Sequence, residues 1–123
     1  MKTKINIKQL RDLVLNGISS EELNSRYDYS HITDMGHMFY GSSSLETIPK
    51  LDTSNVINMN SMFYNCSSLE SIPELDTRNV IDMRSMFNGC SNLKDIDLYK
   101  YLSSNIKSID SKFLKEKYPE LYI

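Results

Sequence analysis

The residues best suited to chemistry in this sequence are two histidines and an aspartate spaced three apart, His31, Asp34 and His37. Imidazole and carboxylate groups are common metal ligands, so this trio is a candidate metal site. However, the positions 24 and 48 residues further on carry asparagine, aspartate or serine. Polar side chains therefore recur at these positions without ligand chemistry, and we predict no metal and no cofactor here.

A hydrolytic site is the second candidate. A catalytic triad needs a histidine held beside a nucleophile and backed by an acid. The chain has only two histidines, and both belong to the trio above. The sequence therefore predicts a protein that is not an enzyme, and metal binding or catalysis is the least favoured function.

Two further sets of reactive groups are spaced 24 residues apart. Asp28, Asp52 and Asp76 would crowd like charges if they stacked at the strand spacing of about 4.8 Å. A turn-capping role explains each aspartate, and a bound calcium ion is the alternative. For Cys66 and Cys90, the same spacing exceeds the Cβ separation of about 3.8 Å that a disulfide prefers, so we predict buried, reduced thiols.

An internal repeat must position these groups. Cut at Asp28, Asp52 and Asp76, the chain gives three gapless blocks of 24 residues. Apolar residues recur in columns, namely Met35/Met59/Met83, Met38/Met62/Met86, Phe39/Phe63/Phe87, Leu45/Leu69/Leu93 and Ile48/Ile72/Ile96. A unit of this length cannot enclose its own apolar side, so stacked copies must bury a shared interior.

Each block is predicted to run through a turn, a short helix, a loop and a strand. The spacing of Met59, Met62 and Phe63 favours one face of a short helix. In the third block, Leu93-x-x-Ile96-x-Leu98 is typical of a strand whose Lys94, Asp95 and Asp97 turn outward. Pro49 and Pro73 shorten the corresponding strands of the first two blocks.

The string NVINMNSMFYNCSSLESIPELDT resembles the bacterial leucine-rich repeats of the BspA-like and mycoplasma-lipoprotein type, which show a recurring N-V-x-x-M-x-x-M-F-x-x-C-x-x-L pattern. The resemblance covers Asp28–Tyr99. It implies an α/β fold, a short right-handed leucine-rich-repeat solenoid with a parallel sheet on one side. It also implies no catalytic residues, and family members are commonly exported surface proteins that adhere to host or matrix partners.

Both flanks are predicted to be caps on a single domain that spans residues 1–123. In the N-terminal cap, residues 1–27, Asn6 is a candidate N-cap for a helix that ends near Gly17. Ser19 and Glu22 have the form of a capping box for a second helix. Residues 28–99 hold the three repeats, and residues 100–123 form the C-terminal cap, with a helix that stops near Pro119.

The charge and the apolar content of the sequence limit where the protein can be located and which partners it can bind. Sixteen acidic and fourteen basic residues give a net charge of −2, which argues against direct nucleic-acid binding. The N-terminus lacks the apolar stretch of a signal peptide, and no window is long and apolar enough to span a membrane. We therefore expect a cytoplasmic protein that does not contact the membrane.

The charge distribution offers a candidate binding surface. The segment from Asp28 to Tyr99 contains ten acidic and four basic residues, whereas both flanking segments have a small excess of basic residues. Outward strand positions would form ladders, and two tyrosines stack in another column. The candidate partner-binding residues are Glu46, Thr47, Lys50, Glu70, Ser71, Glu74, Lys94, Asp95, Asp97, Tyr40 and Tyr64.

These features predict a non-enzymatic protein–protein interaction module that binds a partner protein with a basic surface. One specific version is a phage or mobile-element inhibitor that occupies the basic nucleic-acid groove of a host defence protein. The alternative is a fragment-like bacterial surface adhesion protein, exported by an unusual route.

Overall fold

The first helix begins where the sequence predicts. The structure, a computed structural model, describes residues 1–93, and helix α1 spans Ile7–Leu15. The Asn6 side chain accepts a hydrogen bond from the Gln9 backbone N–H at 2.8 Å, and the Gln9 side chain accepts one from the Asn6 N–H at 2.9 Å. This reciprocal capping box satisfies two backbone donors that would otherwise lack partners. The helix buries Leu10 and Val14.

A glycine ends this helix. Gly17 has a φ of +81°, a left-handed conformation that glycine adopts at little cost. The N–H groups of Gly17 and Ile18 donate back to the carbonyls of Val14 and Leu13 at 3.0 and 3.1 Å. These two bonds form a Schellman motif, and they confirm the predicted helix end.

The second helix, α2, spans Ser20–Arg26, with Ser19 as its N-cap. The Ser19 hydroxyl accepts a hydrogen bond from the Glu22 N–H at 3.1 Å. The Glu22 carboxylate pairs with Arg26 at 2.9 Å instead of returning to the Ser19 backbone. The predicted capping box is therefore half formed.

A short parallel pairing ties the N-terminus to the end of α2. Strand β1, Thr3–Lys4, pairs with strand β2, Tyr27–Asp28, with Thr3 beside Tyr27 and Lys4 beside Asp28. The N–H of Ile5 extends this pairing by donating to the Asp28 carbonyl at 3.0 Å. The chain then continues through segments that begin at Asp28, Asp52 and Asp76. We call them the first, second and third coils, and the structure describes the third as far as Leu93.

Backbone hydrogen bonds join each coil to the next. Parallel bridges link Asp34 to Asn58 and Asn58 to Asp82, so positions 24 residues apart lie side by side. Every second N–H donates to the carbonyl 23 residues further along the chain, with donor–acceptor distances of 2.7–3.0 Å. The donors are Met35, His37, Phe39 and Gly41 from the first coil and Met59, Ser61, Phe63 and Asn65 from the second. We call this set of eight bonds the inter-coil ladder.

The predicted short helix at Met59, Met62 and Phe63 is wrong. Instead, the segment is a run of tight turns, such as the bond from the Met62 N–H to the Met59 carbonyl at 3.2 Å. An α-helix would need its N–H groups for bonds to residues four positions back. Here alternate N–H groups are committed to the neighbouring coil, and Ser61 has a φ of +55°, which an α-helix does not accommodate.

The apolar columns meet inside the stack. The rings of Phe39, Phe63 and Phe87 lie parallel, with centroids 5.6 and 5.8 Å apart. Met38, Met62 and Met86 are all buried in the same core. The predicted strand Leu93-x-x-Ile96-x-Leu98 extends outside the described residues. The shortened strands predicted for the first two coils are wrong: residues 45–51 and 69–75 form no strand, because Pro49 and Pro73 cannot donate to a ladder. One hydrogen bond, from the Glu70 N–H to the Glu46 carbonyl, joins these segments.

The core assignment predicts the effect of placing a charge in the stack. Met62→Asp puts a carboxylate at a fully buried position. We expect a loss of more than about 4 kcal/mol in the free energy of unfolding, or no folding at all, by urea denaturation. The matched control is Ile81→Asp, because Ile81 is 75% exposed. This change should stay within about 0.5 kcal/mol, and equal losses for the two variants would contradict the assignment.

Candidate protein-binding surface

The two glutamates predicted to form an outward ladder lie side by side. Leu45 and Leu69 point into the core, and the residues that follow them are exposed. The Glu70 N–H donates to the Glu46 carbonyl at 2.9 Å, which holds the two backbones together. Thr47 and Ser71 are also exposed. We call Glu46 and Glu70 the acidic pair, while Lys94, Asp95 and Asp97 lie outside the described residues.

Lys50 and Glu74 lie at an open groove of about 900 Å³ that the sequence did not predict. The buried side chains of Leu51 and Leu75 contribute to its lining. Charged residues of both signs also line it, namely Lys2, Lys50, Asp52, Glu74, Asp76 and Arg78. Because the signs balance, this groove does not extend the acidic pair as a surface for a basic partner.

The tyrosine column is also present. The Tyr40 and Tyr64 rings lie 4.7 Å apart at an interplanar angle of 3°, and His37 stacks on Tyr40 at 5.5 Å. Tyr40 is 52% exposed, whereas Tyr64 is half-buried. Tyr40 therefore combines packing within the coils with an exposed aromatic surface on the first coil.

The three aspartates that begin the coils cap their own turns. Asp28 and Asp52 each accept hydrogen bonds from the N–H and the hydroxyl of a serine two residues later. Hydrogen bonds from the Ser30 N–H and hydroxyl hold the pKa of Asp28 below its usual value. Arg78 binds the Asp76 carboxylate, and this lowers the pKa of Asp76. These bonds are the ones that the capping prediction requires.

The His31, Asp34 and His37 trio is not assembled as a ligand set. Asp34 accepts a hydrogen bond from the Gly36 N–H at 2.8 Å, and His37 lies on the Tyr40 ring. Within residues 1–93, no three histidine, cysteine, aspartate or glutamate side chains come close enough to hold a metal ion.

Arginines bind two carboxylates of the third coil. Arg84 donates to both carboxylate oxygens of Asp82, at 3.1 and 2.9 Å, and Arg78 does the same for Asp76. The Arg84 hydrogen bonds lower the pKa of Asp82 to about 2. These two carboxylates of the third coil are therefore paired with arginine, whereas Glu46 and Glu70 on the first two coils are exposed.

Both cysteines are free and buried, as predicted. The Cys66 thiol donates to the Phe39 carbonyl at 3.1 Å, and the Cys90 thiol donates to the Phe63 carbonyl at 2.9 Å. Burial raises the pKa of Cys66 to about 11, against an opposing effect of the Ser42 backbone. The thiols therefore serve as hydrogen-bond donors between neighbouring coils.

The structure also has a pair of exposed apolar residues, Ile57 and Ile81, that the sequence analysis did not predict. Ile57 and Ile81 are 44% and 75% exposed, and the Ile81 N–H donates to the Ile57 carbonyl at 2.9 Å. The signal was present, since the two residues are 24 apart. Their column also contains Thr33, whose polar side chain indicates an outward position.

The described residues therefore form stacked coils with capped turns, a shared apolar core and two adjacent exposed carboxylates. A family model described as "Mycoplasma protein of unknown function, DUF285" matches residues 8–120. The chain belongs to this Mycoplasma family, which is related to BspA-like repeat proteins. No curated protein and no solved structure matches it. In residues 1–93, no helix combines the length and apolar character needed to cross a membrane.

The buried thiol predicts a specific pH dependence. The folded-state pKa of Cys66 lies near 11, above the ordinary value of 9.0. The folded protein therefore keeps a proton that the unfolded chain releases, and the stabilisation present below pH 9 is lost as the pH rises toward 11. The free energy of unfolding of the wild type, minus that of Cys66→Ser, should fall across this range.

Serine is a suitable control residue because Ser42 occupies the same column in the first coil. In addition, native protein at pH 8 should resist alkylation by iodoacetamide, whereas unfolded protein should react. A difference in unfolding free energy that does not change with pH, together with rapid alkylation of the native protein, would contradict the assignment of a buried thiol.

Proposed function

We propose that this protein is a non-enzymatic interaction module that binds a partner protein with a basic surface. The acidic pair, Glu46 and Glu70, is the single observation that carries the proposal. Both side chains are exposed, and a backbone hydrogen bond keeps them adjacent. Like charges on neighbouring positions of a ladder are destabilising. A basic partner would relieve that repulsion and gain both specificity and association rate from the complementary charge.

We also propose the architecture that presents this pair. Residues 28–99 would form three 24-residue leucine-rich repeats in a short solenoid, with caps at residues 1–27 and 100–123. The inter-coil ladder and the stacked phenylalanines support a 24-residue period in the described part of the chain. A rigid stack of this kind holds surface groups in place before binding, so less ordering entropy is lost on association.

A more specific version gives the partner a role. In it, the acidic pair would occupy the basic groove with which a host nucleic-acid-binding protein holds phosphate groups, and so inhibit that protein. The support is chemical, because adjacent exposed carboxylates present repeated negative charge much as a phosphate backbone does. A phage or mobile-element inhibitor would act in this way.

Charge reversal tests the proposal. The double variant Glu46→Lys/Glu70→Lys should leave the melting temperature nearly unchanged, because both side chains are exposed. Its affinity for a partner captured from lysate, identified by mass spectrometry and then purified, should fall by at least about tenfold at moderate salt. For the wild type, binding should weaken as the salt concentration rises.

The control is Asp12→Lys, a charge reversal at an exposed position of helix α1 that is not part of the acidic pair. It should leave the affinity within about twofold. The proposal fails if the wild type retains no basic protein, or if Asp12→Lys weakens binding as much as the double variant does.

A further inference from the structure

The inter-coil ladder leaves one edge of the first coil without donors. In the second and third coils, alternate carbonyls accept hydrogen bonds from the coil before them. The corresponding carbonyls of the first coil belong to Asp34, Gly36, Met38 and Tyr40. Among residues 1–93, no backbone N–H donates to any of these four. We call this segment, residues 34–40, the acceptor edge.

The chain cannot complete this edge with a preceding coil. In the ladder register, the donors would be residues 11, 13, 15 and 17, which belong to helix α1 and its C-terminal turn. These residues are committed to helical conformation and to the turn at Gly17. Helix α1 contributes Leu10 and Val14 to the core but adds no strand to the acceptor edge.

The start of the first coil shows what such an edge accepts. There, strand β1 lies parallel to Tyr27–Asp28, and the Ile5 N–H donates to the Asp28 carbonyl. An extended segment of this chain therefore already pairs with the start of the first coil. The acceptor edge offers the same parallel pairing at a second position, with four carbonyls at alternate residues.

The side chains along the acceptor edge indicate what an added strand should carry. Asp34 and Tyr40 are both exposed. Inside the stack, the Asn60 side-chain amide donates to the Asp82 carboxylate at 3.3 Å, and Tyr40 covers Tyr64. A strand in the same register would place a donor side chain opposite Asp34 and an aromatic ring over Tyr40.

We propose that the acceptor edge is a strand-addition site for an extended segment of a partner protein. The segment runs parallel to residues 34–40, donates alternate backbone N–H groups to the four carbonyls, and has no proline at the donating positions. It carries asparagine, lysine or arginine opposite Asp34 and an aromatic residue over Tyr40. The inference rests on the proposed function, because the segment belongs to a protein partner, but it concerns a surface separate from the acidic pair.

A synthetic peptide tests this site with the full-length chain. The probe is a fluorescent, amidated peptide with the sequence of residues 57–65, Ile-Asn-Met-Asn-Ser-Met-Phe-Tyr-Asn. In the ladder register it places asparagine opposite Asp34 and tyrosine over Tyr40. The matched probe is N-methylated at the three positions equivalent to Met59, Ser61 and Phe63, which removes those ladder donors while retaining every side chain.

We expect fluorescence anisotropy to give a Kd below about 1 mM for the parent peptide. The affinity of the methylated peptide should be at least about tenfold lower. Tyr40→Ala should lower the affinity for the parent peptide at least about fivefold, and Asp34→Asn should lower it about threefold. Asparagine already occupies the equivalent turn at Asn58, so Asp34→Asn preserves the fold. Glu21→Gln, a control that removes one exposed charge from helix α2, should leave the affinity unchanged.

Four results would overturn the proposal, and the first three concern the peptide. These are no binding of the parent peptide at about 1 mM, equal binding of the parent and methylated peptides, and equal binding by wild type, Tyr40→Ala and Asp34→Asn. A fourth is self-association of the chain that Tyr40→Ala abolishes, which would assign the edge to a second copy. Because the probe is uncharged, its failure leaves the acidic pair untouched, whereas the double charge reversal tests the acidic pair and not this edge.

Discussion

The structure depends on hydrogen bonds between coils at every second residue of the methionine–phenylalanine segment. A chain with little regular secondary structure must still provide partners for its buried backbone groups. Here the N–H groups that point along the stack donate to the next coil, and the interleaved ones close turns within their own coil. This alternation fixes the repeat length, because inserting one residue would exchange the two sets and turn inward side chains outward.

The same register determines both the core and the surface. It places Phe63 between the rings of Phe39 and Phe87, and it brings the Cys66 thiol to the Phe39 carbonyl. It also brings Glu46 and Glu70 together, although their charges repel. In the third coil, arginines relieve such charges at Asp76 and Asp82. The first two coils have serine, glycine or asparagine at the corresponding positions, so no arginine pairs with their acidic residues there.

Much of this arrangement could be predicted from the sequence, because the repeat makes each position visible several times. The inward methionines, the cap at Asn6 and the buried thiols follow from residue type and spacing. The consecutive tight turns around Met59, Met62 and Phe63 could not be predicted, since this spacing of apolar residues is equally compatible with a helix. The positive φ of Ser61 also has no counterpart in the hydrophobic pattern of the sequence. The balanced groove beside Lys50 was also missed, because it depends on how far the backbones of adjacent coils separate.

The inter-coil ladder has a direction, and this determines which backbone groups of the first coil lack a ladder bond. In the described part of the chain, the first and second coils each donate to the coil that follows. The corresponding carbonyls of the first coil therefore receive no ladder bond there. Strand β1 supplies an N–H to this coil at Asp28, and helix α1 shields the apolar interior. A helix cannot offer alternate donors to the carbonyls between Asp34 and Tyr40, because its own N–H groups are used internally. Covering the apolar core and pairing the backbone of the first coil are therefore separate requirements. The N-terminal segment covers the core with helix α1, but it pairs with the first coil only at Asp28.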